Sequence, residues 1–125
     1  MAYSKYRQHQ HLPLVANRTN NTVLLNIWIP ANVVVRIFRM FGYMTTAGSA
    51  AGCAVDLKQD GGAQLSTVAM GTGTGLVESS STAITTTTPL VITATSSGSV
   101  LQLVQDTTDT TGVGTVWLDL EFPFV

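Results

Sequence analysis

Two histidines, one cysteine and seven carboxylates are the groups with which this chain of 125 residues could do chemistry, and their spacing gives them little to do. His9-Gln10-His11 places two imidazoles on one face of a strand, the beginning of a metal site. Structural and catalytic sites need three or four ligands, and no Cys, Asp or Glu lies nearby in the chain, so no metal is expected. Cys53, between Gly52 and Ala54, reads as a small core residue, and a single cysteine excludes an intramolecular disulfide. The glycine string GTGTG at 71–75 invites a phosphate-loop reading. Such loops feed the N-terminus of a helix, and nothing after Gly75 has a helical pattern. Asp106 and Asp109 in DTTDTTGVG could hold a hard cation weakly; the simpler reading is a solvated turn whose Asp side chains cap the backbone. Asp56, Asp60, Glu78, Asp119 and Glu121 likewise fall at turns or on outward faces, and no serine sits in the context of an activated nucleophile. The inventory predicts no enzyme and no cofactor.

The elements that would position these groups read as strands. In VVVRIFRMFGYM, Val33 to Met44, three successive β-branched residues and a dense apolar run fit a pleated surface and no helical stripe. A strict period of two puts Val33, Val35, Ile37, Arg39, Phe41 and Tyr43 on one face, and Val34, Arg36, Phe38, Met40 and Met44 on the other. Each face then carries an arginine among apolar groups, and an unpaired buried guanidinium is prohibitive. Either a bulge re-phases the strand between Ile37 and Arg39, or one face lies against a partner that supplies acceptors.

Thr22 to Ile29 alternates and ends at Pro30-Ala31-Asn32, a corner. Cys53 to Met70 reads as a hairpin turning at Asp60-Gly61-Gly62. Gly71 to Thr88 reads as a loop with an edge strand near Ala83 to Thr88, and Pro89 opens a strand containing Leu90 and Ile92. After a turn at Ser96 to Ser99 come Leu101 and Leu103, then the polar turn Asp106 to Gly114. In the last strand Val116, Leu118, Leu120 and Phe122 point one way, and Thr115, Trp117, Asp119 and Glu121 the other. That pattern fixes the register, because a one-residue slip would bury both acids. Seven or eight short strands without a helix predict an all-β fold, an antiparallel β-sandwich of jelly-roll-like type.

Residues 1–21, MAYSKYRQHQHLPLVANRTNN, show no usable periodicity and read as an extended N-terminal arm before a β-sandwich domain at 22–125. Tyr3, Tyr6, Leu12, Leu14 and Val15 are anchor-type side chains, so the arm is expected to order on a neighbouring subunit. The chain is long enough to bury a core without staples. Its first residues contain no apolar signal core, and no run reaches the roughly 18 apolar residues of a helical membrane span. Charged residues make up 10% of the chain, against about 25% in ordinary soluble domains, which suggests a surface largely covered in the working state. All six basic residues lie at or before Lys58, and six of the seven acids follow Lys58, so the two parts carry about +5 and −6. No basic patch dense enough for nucleic acid results.

The run from Thr22 to Phe122 resembles the small all-β virion proteins of tailed bacteriophages, among them capsid decoration (cement) proteins, head fibres and tail-fibre modules. Two stretches carry the resemblance: VVVRIFRMFGYMTTAGSAAGCAVDLKQDGG, and TTTTPLVITATSSGSVLQLVQDTTDTTGVGTVWLDLEF. It implies a non-enzymatic structural protein made in the host cytoplasm and located at the capsid surface of the virion. Its partners would be the major capsid protein and its own copies in a homotrimer, with no nucleic acid and no membrane. Tyr3, Tyr6, Arg7 and Leu12 would be the capsid contacts of the arm, and Arg36, Arg39 and Trp117 the inter-subunit contacts. Deleting residues 1–20 is then expected to leave a folded domain that no longer binds shells. Two alternatives remain: a tail-fibre or receptor-binding module holding a host glycan on the loops Gly71 to Ser81 and Thr107 to Gly114, and a cellular carbohydrate-binding domain using Trp28 and Trp117.

Overall fold

Nine strands in two antiparallel sheets form the framework of the chain that the computed structural model describes, residues 4–79, 84 and 89–124. They are β1 (Ser4–Leu14), β2 (Val23–Ile29), β3 (Val34–Thr46), β4 (Ala54–Gln59), β5 (Gln64–Ala69), β6 (Gly75–Glu78), β7 (Leu90–Thr93), β8 (Ser99–Asp106) and β9 (Val113–Phe124). One sheet runs β1-β9-β3-β6, with β7 also on β3; the other runs β2-β8-β4-β5. The pairing is nested: β1 with β9, β2 with β8, β3 with β6 and β7, β4 with β5. The sheets pack face to face as a β-sandwich over one apolar core.

The core follows from alternation. From the five-stranded sheet come Leu14, Val35, Ile37, Met40, Met44, Val116, Leu118 and Leu120; from the other come Ile29, Val55, Leu57, Val68, Leu101 and Leu103. β3 contains a bulge, one of the two alternatives its arginines left open: its register on β9 shifts between Ile37 and Arg39. Val35 and Ile37 are buried before the shift, Met40, Gly42 and Met44 after it. The extra residue, Phe38, moves Arg39 onto the same outer face as Arg36. On β9 the predicted register holds, with Val116, Leu118 and Leu120 buried and Trp117, Asp119 and Glu121 opposite outer-face positions of β3. The β4–β5 hairpin turns at Asp60 and Gly61, both at positive φ, and Cys53 is buried. The edge strand expected near Ala83 to Thr88 falls mostly outside the described residues; β6 lies earlier.

The N-terminal segment departs from the sequence reading. Ser4–Leu14 is an edge strand of this chain's own sheet, in register with β9 from Ser4 opposite Phe124 to Leu14 opposite Gly114. The alternation is concealed because its inward positions read Gln8, Gln10, Leu12, Leu14, two amides followed by two leucines. Arg18, just beyond, is also buried. An extended arm separate from residues 22–125 is therefore not what these residues form.

Candidate functional site

The outer face of the five-stranded sheet gathers most of the side chains singled out above. Directly opposite residues share a face, so the registers build rows across β1, β9 and β3. Arg7, Glu121 and Arg36 form one; His9, Asp119 and Arg39 the next; His11, Trp117 and Phe41 a third. Each row joins a residue from the start of the chain to one from its end. Only the bulge in β3 allows both Arg36 and Arg39 to take part.

The rows are tied together electrostatically. Arg36 Nη1 lies 3.4 Å from Glu121 Oε1, and Arg7 Nη1 lies 3.6 Å from Asp119 Oδ2. Arg39 donates from Nη2 to Glu78 Oε1 and from Nε to Oε2, the latter at 3.3 Å, which raises its already high pKa and keeps it charged. Asp119 Oδ1 is buried without a hydrogen-bond partner among the described residues, and His9 Nδ1 stands 3.7 Å away. Aromatic rings fill the spaces between the charges. Trp117 stacks on Phe41 with centroids 5.0 Å apart and planes 11° from parallel, and His11 meets Trp117 edge-on at 5.7 Å. The Arg7 guanidinium sits 3.8 Å over the Phe38 ring and that of Arg39 4.1 Å over Phe41.

Of the residues named from sequence, Arg7, Arg36, Arg39 and Trp117 come together here. Leu12 does not: it has the opposite parity from Arg7 and packs against the core, so it is corrected from a capsid contact to a structural residue. Tyr6 stands opposite Phe122 in the β1–β9 register, and Tyr3 lies outside the described residues. Phe38, Phe41, His9 and His11 are additions. The histidines were visible as a pair, but their relation to Trp117 and Asp119 depends on β1 being a strand.

The polar turn before β9 is also corrected. Asp109 is fully buried, not solvated. Its Oδ1 accepts backbone N–H groups from Ser49 (3.1 Å), Thr111 (3.1 Å) and Gly112 (2.8 Å), and its Oδ2 accepts Arg18 Nη2 at 2.7 Å. Burial alone would push this carboxyl up; the three N–H groups and the Arg18 charge outweigh burial and hold it below its ordinary value. Arg18 in turn donates to Gln105 Oε1 at 2.7 Å and to the carbonyls of Val15 and Gly112. The cluster staples three loops and leaves Asp109 closed to a cation, while Asp106 stays partly exposed. No group of three or more His, Cys, Asp or Glu among the described residues is placed to hold a metal ion, and none of these residues forms a helix long and apolar enough to cross a membrane. No protein-family model and no curated protein matches the chain.

Proposed function

We propose that this protein is a non-enzymatic structural component of a tailed-bacteriophage virion, a capsid decoration protein that binds the outer lattice of the major capsid protein as a homotrimer and braces the shell. The observation that carries the reading is the outer face of the five-stranded sheet. Arg7, Arg36 and Arg39 keep 46, 43 and 44% of their side-chain surface exposed, while Asp119 and Glu121 beside them keep 17%. The arginines are thus oriented before any partner arrives. With Trp117 and Phe41 stacked among them, the face has the side chains on which protein interfaces concentrate their energy.

Two further features support the reading. The β-sandwich with nested pairings is compatible with a jelly-roll-like arrangement, an architecture used by viral capsid domains and by lectins. A surface with so few charges, most of them engaged within the chain, suits a molecule covered by neighbours. The test is co-sedimentation with empty shells of the major capsid protein encoded in the same genome, alongside the mass in solution by light scattering. A trimer that binds at a fixed ratio and raises the shell's melting temperature is expected, as is weakened binding by Trp117→Ala and Arg36→Glu variants that keep their own melting temperatures. A protein that ignores those shells overturns the proposal. The second reading, a fibre or receptor-binding module, is favoured by one observation, a cleft on the flank of the sandwich.

A further inference from the structure

The inward row of β1 changes character halfway along. Leu14 is buried and Leu12 packs against the core, but Gln10 and Gln8 continue the same row opposite the buried Leu118 and Leu120. A strand packed against a core would carry aliphatic groups at these two positions. Neither amide makes a side-chain hydrogen bond to any described residue, and neither holds a buried atom without a partner, so both amide groups stand open to solvent.

Both amides line a cleft of about 470 Å³ where the edges of β1 and β2 approach each other. Leu25, Ile27 and Phe122 give it an apolar lining; Asn26, Trp28 and Pro30 complete the β2 side. Asn26 Oδ1 accepts Gln102 Nε2 at 3.2 Å, which orients the amide and leaves its nitrogen as a donor. Trp28 is 59% exposed, an unusual position for an indole. It is held by the turn before β8, where Gly98 adopts φ 90° and a Cβ would stand 2.3 Å from Trp28 Cη2. No charged side chain lines the cleft.

We propose that this cleft binds a neutral saccharide. An anionic ligand would find no cation there, and a purely apolar segment would bury three amides at a loss. Sugar hydroxyls need both donors and acceptors, which Gln8 and Gln10 from the β1 wall and Asn26 from the β2 wall supply, and the C–H face of a pyranose packs on an exposed indole. The volume lies within the roughly 300–1,000 Å³ of small-molecule sites. The inference gives the fibre or receptor-binding reading its site, and it does not depend on shell binding.

The experiment applies the full chain to an array of neutral gluco-, galacto-, manno- and N-acetylglucosamine oligosaccharides with sialylated and sulfated ones as contrast, then titrates the best neutral binder by tryptophan fluorescence and NMR. Expected is a neutral ligand whose affinity falls by at least about tenfold, the equivalent of one lost anchor contact, in Trp28→Ala and in Gln10→Leu. Gln10→Leu extends an apolar row and is expected to keep or raise the melting temperature, so its loss of binding cannot be attributed to unfolding. No neutral binder at about 10 mM, only charged binders, or affinity unchanged in both variants would overturn the site. Gln10→Leu is expected to co-sediment with shells as the wild type does, so failure of this site and failure of the capsid reading are separable.

Discussion

Asp109 and Asp56 are both buried carboxylates, and their surroundings push them in opposite directions. Asp109 is held below its ordinary value, so its contribution to stability is fully present above the unfolded carboxylate range, about pH 4, and is lost as pH falls through the folded value. Asp109→Ala strands the buried Arg18 guanidinium and is expected to cost about 3–5 kcal/mol at pH 7, read from urea unfolding. Asp56 is raised, chiefly by burial and further by Asp106, against the hydrogen bond it accepts from Thr67 Oγ1 at 2.7 Å. A raised carboxyl contributes stability below its unfolded value and loses it as pH rises through the folded value, so ionised Asp56 is a cost at pH 7. Asp56→Asn keeps the acceptor for Thr67 and is expected to stabilise by about 0.5–1 kcal/mol at pH 7, an advantage that shrinks toward pH 4. An advantage that grows on acidification would contradict this assignment. Neither burial was legible in the sequence. Asp109 is buried because a cation 91 residues away reaches it, and DTTDTTGVG contains no trace of that partner.

At the scale of elements, legibility depended on whether a strand's inward positions were uniformly apolar. β9 was readable down to its register, and in β3 the two arginines of opposite parity left a bulge or a covering partner as the alternatives, of which the register shift between Ile37 and Arg39 shows the bulge. β1 was not readable because the amides facing the cleft occupy the positions where alternation would show. The consequence for truncation is direct. Removing residues 1–14 strips an eleven-residue strand from β9, deletes the buried Leu14 and opens the sheet beside Leu118 and Leu120. Loss of at least about 3 kcal/mol is expected, of the order of large core deletions, with aggregation through the new edge. Thermal unfolding and light scattering of the truncated chain check this. A deletion with unchanged melting temperature would restore residues 1–14 to the status of a separable arm. If the truncated chain unfolds, point variants such as Trp117→Ala, not deletions, are the means of testing shell binding.

For the whole molecule, the nested pairing resolves the uneven charge distribution of the sequence. Residues from the first part of the chain lie beside residues from the second, so the basic stretch and the acidic stretch become ion pairs: Arg7 with Asp119, Arg18 with Asp109, Arg36 with Glu121, Arg39 with Glu78. Composition indicated the segregation, and alternation indicated two sheets. Strand order stayed hidden because β1–β9 and β2–β8 pairings join segments far apart in sequence and no local pattern records them. The same order makes the two sheets interdependent, since each contributes one wall of a single core. The two tryptophans test this, Trp28 reporting on β2 and Trp117 on β9. In Trp117→Phe and Trp28→Phe variants, the fluorescence of the remaining indole is expected to follow the same urea transition as far-UV circular dichroism, with refolding in milliseconds or slower because the defining contacts are so distant. If the Trp28 signal were to melt apart from the dichroism, the four-stranded sheet would have to hold together without its partner, and a core built from both walls would be the wrong account of stability.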